Sequence, residues 1–147
     1  MTRIPQSVVS ALMGHARREY PRECCGILIG RHVDDEARVE RAVEAENIAE
    51  NDRRKSYQID WRTLLATTRS VRATREQIVG FYHSHPDGSS RPSRSDRQEA
   101  WLDHTYVILS MRDGLCTAVS GWRVHSSDND FDSEPLVIEP DEDRPRL

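Results

Sequence analysis

The feature that most constrains the fold is an apolar run that ends in two histidines. Residues 77–82 are rich in β-prone side chains and indicate a buried strand, which His83 and His85 continue to its end. Side chains two residues apart on a strand point to the same side of the sheet. Both imidazoles can therefore approach one point, and Pro86, which has no N–H to donate, ends the strand.

A loop and the start of a helix follow this strand. Residues 87–92 combine Asp, Gly, Ser and Pro, which is typical of a loop. Residues 93–102 indicate a short helix, with Ser93 as its N-cap and Asp96 in its first turn. If the loop folds back, Asp96 joins the two histidines, and two His with one carboxylate can hold zinc beside a water. Helix capping alone would account for the Ser/Asp pair, but not for the histidines.

A zinc hydrolase also needs a base that takes a proton from the attacking water. Glu23, which comes directly before a buried strand, is the best candidate by position. Its place in the sequence does not show that it faces His83. An ordinary acidic residue between a helix and a strand is the alternative.

The composition indicates a single globular domain with a polar surface. The chain has 147 residues, of which 36% are hydrophobic and 31% are charged, and its net charge is −4. Its arginine-rich stretches are short and suit solvated surfaces, so no nucleic acid partner is expected. No apolar run approaches the roughly 20 residues that span a bilayer, and no signal peptide is indicated, so no membrane partner is expected either.

The three cysteines do not indicate a disulfide framework. Their number is odd, and Cys24 and Cys25 lie in an apolar strand, whereas Cys116 stands alone. Buried strand thiols are usually inert, which disfavours a cysteine hydrolase. We therefore expect a reducing, cytoplasmic setting.

The order of periodic segments predicts an α/β (α+β) fold. Helices are expected at 5–19, 61–71 and 93–102, and strands at 24–31, 37–46, 57–59, 77–85, 105–110, 115–124 and 136–139. Asp60 is the predicted N-cap of the second helix. One domain is expected over residues 1–139, followed by an acidic, frayed tail over residues 140–147.

Taken together, the motif residues resemble the JAMM (MPN+) metalloprotease family, also known as Mov34/MPN/PAD-1. The family pattern is an early Glu followed by H-x-H-x7-S-x-x-D, which this chain matches at Glu23, His83, His85, Ser93 and Asp96. Residues 21–30 also resemble the first strand of small prokaryotic members, and the resemblance covers about residues 5–125. It implies a cytidine-deaminase-like domain with a mixed, curved β-sheet flanked by helices.

The resemblance also implies a role for each motif residue. The resemblance implies that zinc is bound by His83, His85 and Asp96, with water as the fourth ligand. Glu23 is then the general acid and base, and Ser93 helps to stabilise the tetrahedral oxyanion.

The implied reaction is hydrolysis of a peptide or isopeptide bond after the C-terminal diglycine of a ubiquitin-like protein of the sulfur-carrier type. A diglycine tail has no side chains and can lie extended in a narrow groove. The alternative is a non-catalytic MPN-type interaction module, which the complete ligand set disfavours. A zinc deaminase would need H-x-E and P-C-x-x-C, and the chain has neither.

Overall fold

The computed structural model describes residues 1–98, 100–124 and 130–141, which form three helices and eight strands. The helices are α1 (Gln6–Glu19), α2 (Trp61–Arg72) and α3 (Arg94–Gln98). The strands are β1 (Thr2–Pro5), β2 (Cys25–Val33), β3 (Glu36–Ala45), β4 (Gln77–His85), β5 (Thr105–Arg112), β6 (Leu115–Val124), β7 (Phe131–Glu134) and β8 (Leu136–Glu139).

The strands form one mixed sheet in the order β7-β6-β5-β4-β2-β3-β1-β8. The pairs β4–β5, β1–β3 and β1–β8 are parallel, and the other neighbours are antiparallel. Only Pro135 separates β7 from β8, although these strands stand at opposite ends of the order. The hydroxyls of Thr2 in β1 and Thr105 in β5 are also 2.8 Å apart. The sheet therefore curves until it is nearly closed, and the predicted fold class is confirmed.

α1 and α2 pack on opposite faces of the sheet. Neighbouring residues of a strand point to opposite sides, so one strand can contribute to the core under each helix. Leu28 and Tyr82 join a core that contains the buried residues of α1. Ile27 and Phe81 join a second core with Val71 of α2. β2 and β4 are thus buried on both faces, as their continuous apolar runs predict.

Four elements of the structure differ from the sequence predictions. β1 and β7 were not predicted, because four-residue strands carry little periodic signal. Residues 57–59 form only an isolated bridge between Asn47 and Ile59. The predicted helix over 93–102 is also too long: α3 ends at Gln98, and the N–H of Trp101 donates to the Tyr106 hydroxyl at 2.6 Å.

Other sequence predictions agree with the structure. Asp60 caps α2 by accepting a hydrogen bond from the Thr63 N–H at 2.8 Å. The predicted strand over 136–139 is β8, at one end of the strand order. The frayed tail over residues 140–147 stays a prediction: the Asp141 carboxylate accepts from the Ser7 N–H, and residues 142–147 lie outside the described residues.

Gly80 lies where β4 and β5 approach most closely. A Cβ at this position would stand 2.0 Å from the Thr105 carbonyl oxygen, and the two residues are register partners. We expect Gly80→Ala to lower the free energy of unfolding by about 1–3 kcal/mol, because the overlap is with backbone. Gly14→Ala in α1 is the control: nothing lies within 4 Å of its Cβ, and alanine's helix propensity should add about 1 kcal/mol. Urea unfolding measures the stability of both variants. If Gly80→Ala is as stable as Gly14→Ala, the close contact between the β4 and β5 backbones at Gly80 is contradicted.

Candidate metal centre

Antiparallel pairing of β2 with β4 brings Glu23 to the histidines. Cys25 is the register partner of His83. In an antiparallel pair, the residue two positions earlier on one strand lies opposite the residue two positions later on the other. Glu23 therefore lies opposite His85, a contact that the sequence alone left open.

The backbone around Glu23 is held on both sides by hydrogen bonds. The Ser84 N–H donates to the Cys24 carbonyl at 3.1 Å, and the Ser84 hydroxyl accepts from the Cys24 N–H at 2.8 Å. The Glu23 N–H donates to the Arg53 carbonyl at 2.7 Å, and the Asn47 side-chain amide donates to the Glu23 carbonyl at 3.0 Å. These bonds fix where the Glu23 side chain leaves the backbone.

Three ligand-type atoms converge at the end of β4. His83 Nε2 and His85 Nε2 are 3.0 Å apart, and each is 3.1 Å from Asp96 Oδ2. A tetrahedral ion bonded at 2.0–2.1 Å separates its ligand atoms by roughly 3.3 Å, so this spacing fits a metal ion. Glu23 completes a buried group whose possible ligand atoms all lie within 4.8 Å of one another.

Contacts on the far side of each ring orient the two imidazoles. His85 Nδ1 lies 3.0 Å from the Ser89 carbonyl, to which it can only donate, so Nε2 keeps its lone pair for an ion. The His83 ring stacks on Tyr57, with centroids 4.3 Å apart and an interplanar angle of 21°. His83 Nδ1 is buried and has no hydrogen-bond partner within the described part of the chain.

Ser93 and Asp96 hold each other at the start of α3. Ser93 Oγ accepts from the Asp96 N–H at 3.1 Å, and the Ser93 N–H donates to Asp96 Oδ2 at 2.7 Å. This reciprocal pair is a capping box. The same Oδ2 atom faces both histidines, so capping and metal binding are compatible. The Ser93 hydroxyl is an acceptor in the cap and also lies 3.2 Å from the Ser95 hydroxyl, where either group can donate, so its hydrogen can turn towards the site when Ser95 donates.

The pKa values of the two carboxyl groups in the site are shifted in opposite directions. Glu23 is 3% exposed, and burial raises the pKa of its carboxyl to about 8, although nearby His85 partly offsets this. Burial also acts on Asp96, but His83, His85 and the Ser93 N–H outweigh it and hold the pKa of Asp96 well below its usual range. Asp96 is therefore a permanent anion, whereas Glu23 can hold or release a proton near neutral pH.

The histidines also differ. Burial lowers the pKa of His83 and outweighs the attraction of Asp96. Burial acts in the same direction on His85, but its hydrogen bond with Asp96 and the carboxylate of Glu23 raise its pKa overall. A neutral His83 suits a metal ligand, because only an unprotonated ring nitrogen can bind an ion.

Two cavities with different lining residues border the cluster. The apolar cavity, of about 240 Å³, borders Asp96 and is walled mainly by large side chains: Tyr57, Ile59, Trp61, Leu64, Phe81, Trp101 and Tyr106. The basic cavity, of about 670 Å³, borders Glu23, His85 and Ser93 and is lined by three cationic residues: Arg54, Lys55 and Arg91. Neither wall can be predicted from the sequence pattern, because the residues come from separate loops, helices and strands.

The cysteines do not contribute to the site. All three thiols are free, and Cys24 and Cys25 are buried. Burial raises the pKa of Cys24 to about 12 and also raises that of Cys25, so neither forms a nucleophilic thiolate. Within the described residues, no helix is both long enough and apolar enough to cross a membrane.

Comparisons with known proteins give consistent matches. Residues 5–125 match the family described as prokaryotic homologs of the JAB domain. The desampylase of Haloferax volcanii is 33% identical over 113 residues, which cover 74% of this chain and 78% of that protein. The CysO-cysteine peptidase of Mycobacterium tuberculosis is 35% identical over 136 residues, which cover 92% and 89% respectively. A solution structure from Desulfitobacterium hafniense has a TM-score of 0.83 at 25% identity and covers 97% of this chain and 96% of that one.

The buried Glu23 carboxyl should make the metal-free protein less stable as the pH rises. Its pKa is about 8 in the folded chain, against an ordinary value of 4.5. The folded state therefore binds more protons than the unfolded state between these values, and stability falls with increasing pH. We expect Glu23→Gln to remove this fall and to exceed the parent protein in stability at pH 8.5 by on the order of 2–4 kcal/mol.

Urea unfolding of both chelator-treated proteins at pH 5 and pH 8.5 measures this difference. A stability gap that does not change between the two pH values would show that Glu23 is not desolvated as described.

Proposed function

This chain belongs to the family of prokaryotic homologs of the JAB domain, and from that membership we propose that it is a zinc-dependent JAMM-type peptidase. Its proposed substrate is a peptide or isopeptide bond after the C-terminal diglycine of a ubiquitin-like protein of the sulfur-carrier type. The names of two relatives, a desampylase and a CysO-cysteine peptidase, support this class of reaction. The observation that carries the proposal is a buried, protonatable Glu23 beside a convergent pair of histidines and Asp96.

We propose zinc as the ion, held by His83, His85 and Asp96. Two imidazole nitrogens and one carboxylate oxygen form the donor set of a catalytic zinc site and leave one position for water. When bound there, zinc would make that water more acidic and would polarise the substrate carbonyl. The bonds from His85 to Ser89 and from Asp96 to Ser93 keep the donors aimed at the site.

Glu23 transfers the proton in this proposal. Its carboxylate accepts a proton as the water oxygen bonds to the carbonyl carbon, and it then donates that proton to the leaving nitrogen. The C–N bond breaks, the other half leaves as an amine, and the acyl half becomes a carboxylate as its remaining proton passes to the amine or to solvent. Burial raises the pKa of the Glu23 carboxyl above that of an ordinary glutamate, which suits a group that takes up a proton and returns it. The Ser93 hydroxyl donates to the oxyanion that exists after the water oxygen has bonded to the carbonyl carbon and before the C–N bond breaks.

The apolar cavity is the proposed site of the acyl half. The leaving nitrogen must lie near Glu23, which borders the basic cavity and not the apolar one. The diglycine tail then passes Asp96, and the body of the substrate protein rests on the exposed aromatic rings. Trp61 is 62% exposed and Trp101 is 44% exposed, which leaves both available to a protein partner.

A cytoplasmic location is part of the same proposal. Three free thiols, one of them the half-buried Cys116, suit a reducing compartment. The alternative function, a non-catalytic MPN-type interaction module, predicts neither bound zinc nor cleavage.

The roles of Glu23 and Asp96 are separable by mutation. We expect Glu23→Gln to keep one zinc per chain and to lower kcat by about 10²–10⁴-fold, because only proton transfer is lost. Asp96→Ala should lose both zinc and activity. Metal analysis and cleavage of a diglycine-tailed carrier fusion measure these effects, with the exposed Glu50→Gln as the control. Full activity of zinc-loaded Glu23→Gln would remove Glu23 as the acid and base.

The aromatic rim of the apolar cavity should matter for protein substrates only. We expect Trp61→Ala to raise KM for a folded carrier by about 10-fold or more, because exposed Trp is a typical anchor residue at interfaces. Hydrolysis of a short peptide that ends in the same tail should change little. Leu115→Ala, which is also exposed but lies on β6, is the control. Equal losses on both substrates would argue against a docking role.

A further inference from the structure

We infer that the basic cavity binds the free α-carboxylate of the leaving group. The enzyme would then release a C-terminal amino acid or short peptide from its carrier in preference to a lysine side chain. This inference rests on the proposed function and deepens it, because it names the chemical class on the amine side of the scissile bond.

The position of Glu23 identifies the cavity that receives the leaving group. The departing nitrogen takes its proton from Glu23, so the leaving group must lie within reach of that carboxyl. The basic cavity borders Glu23 together with His85 and Ser93. A third cavity, of about 450 Å³, also touches Glu23, but none of the three proposed zinc ligands lines it. The basic cavity alone, among those three, joins the proton donor to the proposed zinc ligands.

The charges that line this cavity favour an anion. Arg54 is already paired with Asp52, with nitrogen–oxygen distances of 3.1 and 3.2 Å. Lys55 and Arg91 are exposed and have no ion-pair partner in the described part of the chain. Asp87, the acidic residue on the cavity wall besides Glu23, accepts a hydrogen bond from the Ser89 N–H at 2.9 Å and carries one negative charge against these two cations. Lys55 and Arg91 therefore leave an excess of positive charge on the wall beyond Glu23.

Size and geometry agree with a small carboxylate-bearing group. The cavity of about 670 Å³ lies within the range of small-molecule sites. In a C-terminal amino acid, one carbon separates the carboxylate from the leaving nitrogen, so its charge lies at a fixed short distance from Glu23. The lysine of an isopeptide has no charge there, because its α-carboxyl is an amide within its own chain. Lys55 and Arg91 can therefore distinguish the two leaving groups.

The experiment compares two substrates that differ by one charge. A diglycine-tailed carrier is extended by a single alanine that ends either in a free carboxylate or in a carboxamide. We expect the zinc-loaded enzyme to show a kcat/KM about 5–20-fold higher for the acid, as expected for two partly exposed charge contacts. The ratio should fall towards one in the Lys55→Gln/Arg91→Gln variant. Arg75→Gln, an exposed cation before the opposite end of β4, should keep the ratio.

Binding provides a second measurement that does not depend on turnover. Calorimetry with the zinc-loaded Glu23→Gln variant should show tighter binding of the acid than of the carboxamide by a similar factor. Adding Lys55→Gln and Arg91→Gln should remove this difference. Circular dichroism melts check that the variants are folded, which exposed positions should permit.

The outcomes separate the inference from the proposed function. Cleavage of acid and carboxamide at equal rates, or an unchanged ratio in the double variant, overturns the carboxylate site but leaves the peptidase intact. Faster cleavage of a lysine isopeptide than of the acid adduct also overturns it. If neither substrate is cut, the proposed function fails, and the calorimetry still decides whether the cavity prefers a carboxylate.

Discussion

The register between β2 and β4 is the constraint on which the rest of the site depends. It pairs Cys25 with His83 and so places Glu23 opposite His85. A slip of one residue would turn the strand's side chains to the other face. The two cores resist such a slip, since Leu28 belongs to the core under α1 and Ile27 to the core under α2. Hydrophobic burial of the neighbouring strand residues therefore fixes the geometry of the site.

That geometry gives two carboxyl groups different tasks. Asp96 accepts a backbone hydrogen bond and faces two imidazoles, so its negative charge is stabilised. Glu23 is equally buried, but its Oε1 has no hydrogen-bond partner among the described residues. The difference in acidity follows from these surroundings, as both are ordinary carboxylic acids. One group can thus hold an ion while the other moves a proton.

The local parts of the site could be predicted from the sequence, and its long-range parts could not. Strand parity predicts that His83 and His85 share a face, and the capping pattern predicts the bond between Ser93 and Asp96. Whether Glu23 faces them depends on a pairing between residues about 60 positions apart, which only the family resemblance indicated. The sequence favours a strand over residues 57–59, and no pattern in it indicates that Tyr57 stacks on the His83 ring instead.

The same division between framework and loops bears on specificity. The side chains of Glu23 and the three proposed zinc ligands are fixed by strand pairing and by the cap of α3, and they lie almost entirely buried. Lys55 and Arg91 come from two exposed loops and support no core. Exchanging them should change the electrostatic preference for the leaving group without disturbing the metal ligands, since surface substitutions usually shift stability by only about 0.5 kcal/mol. A single buried hydrolytic centre can therefore serve different adducts through changes in its rim.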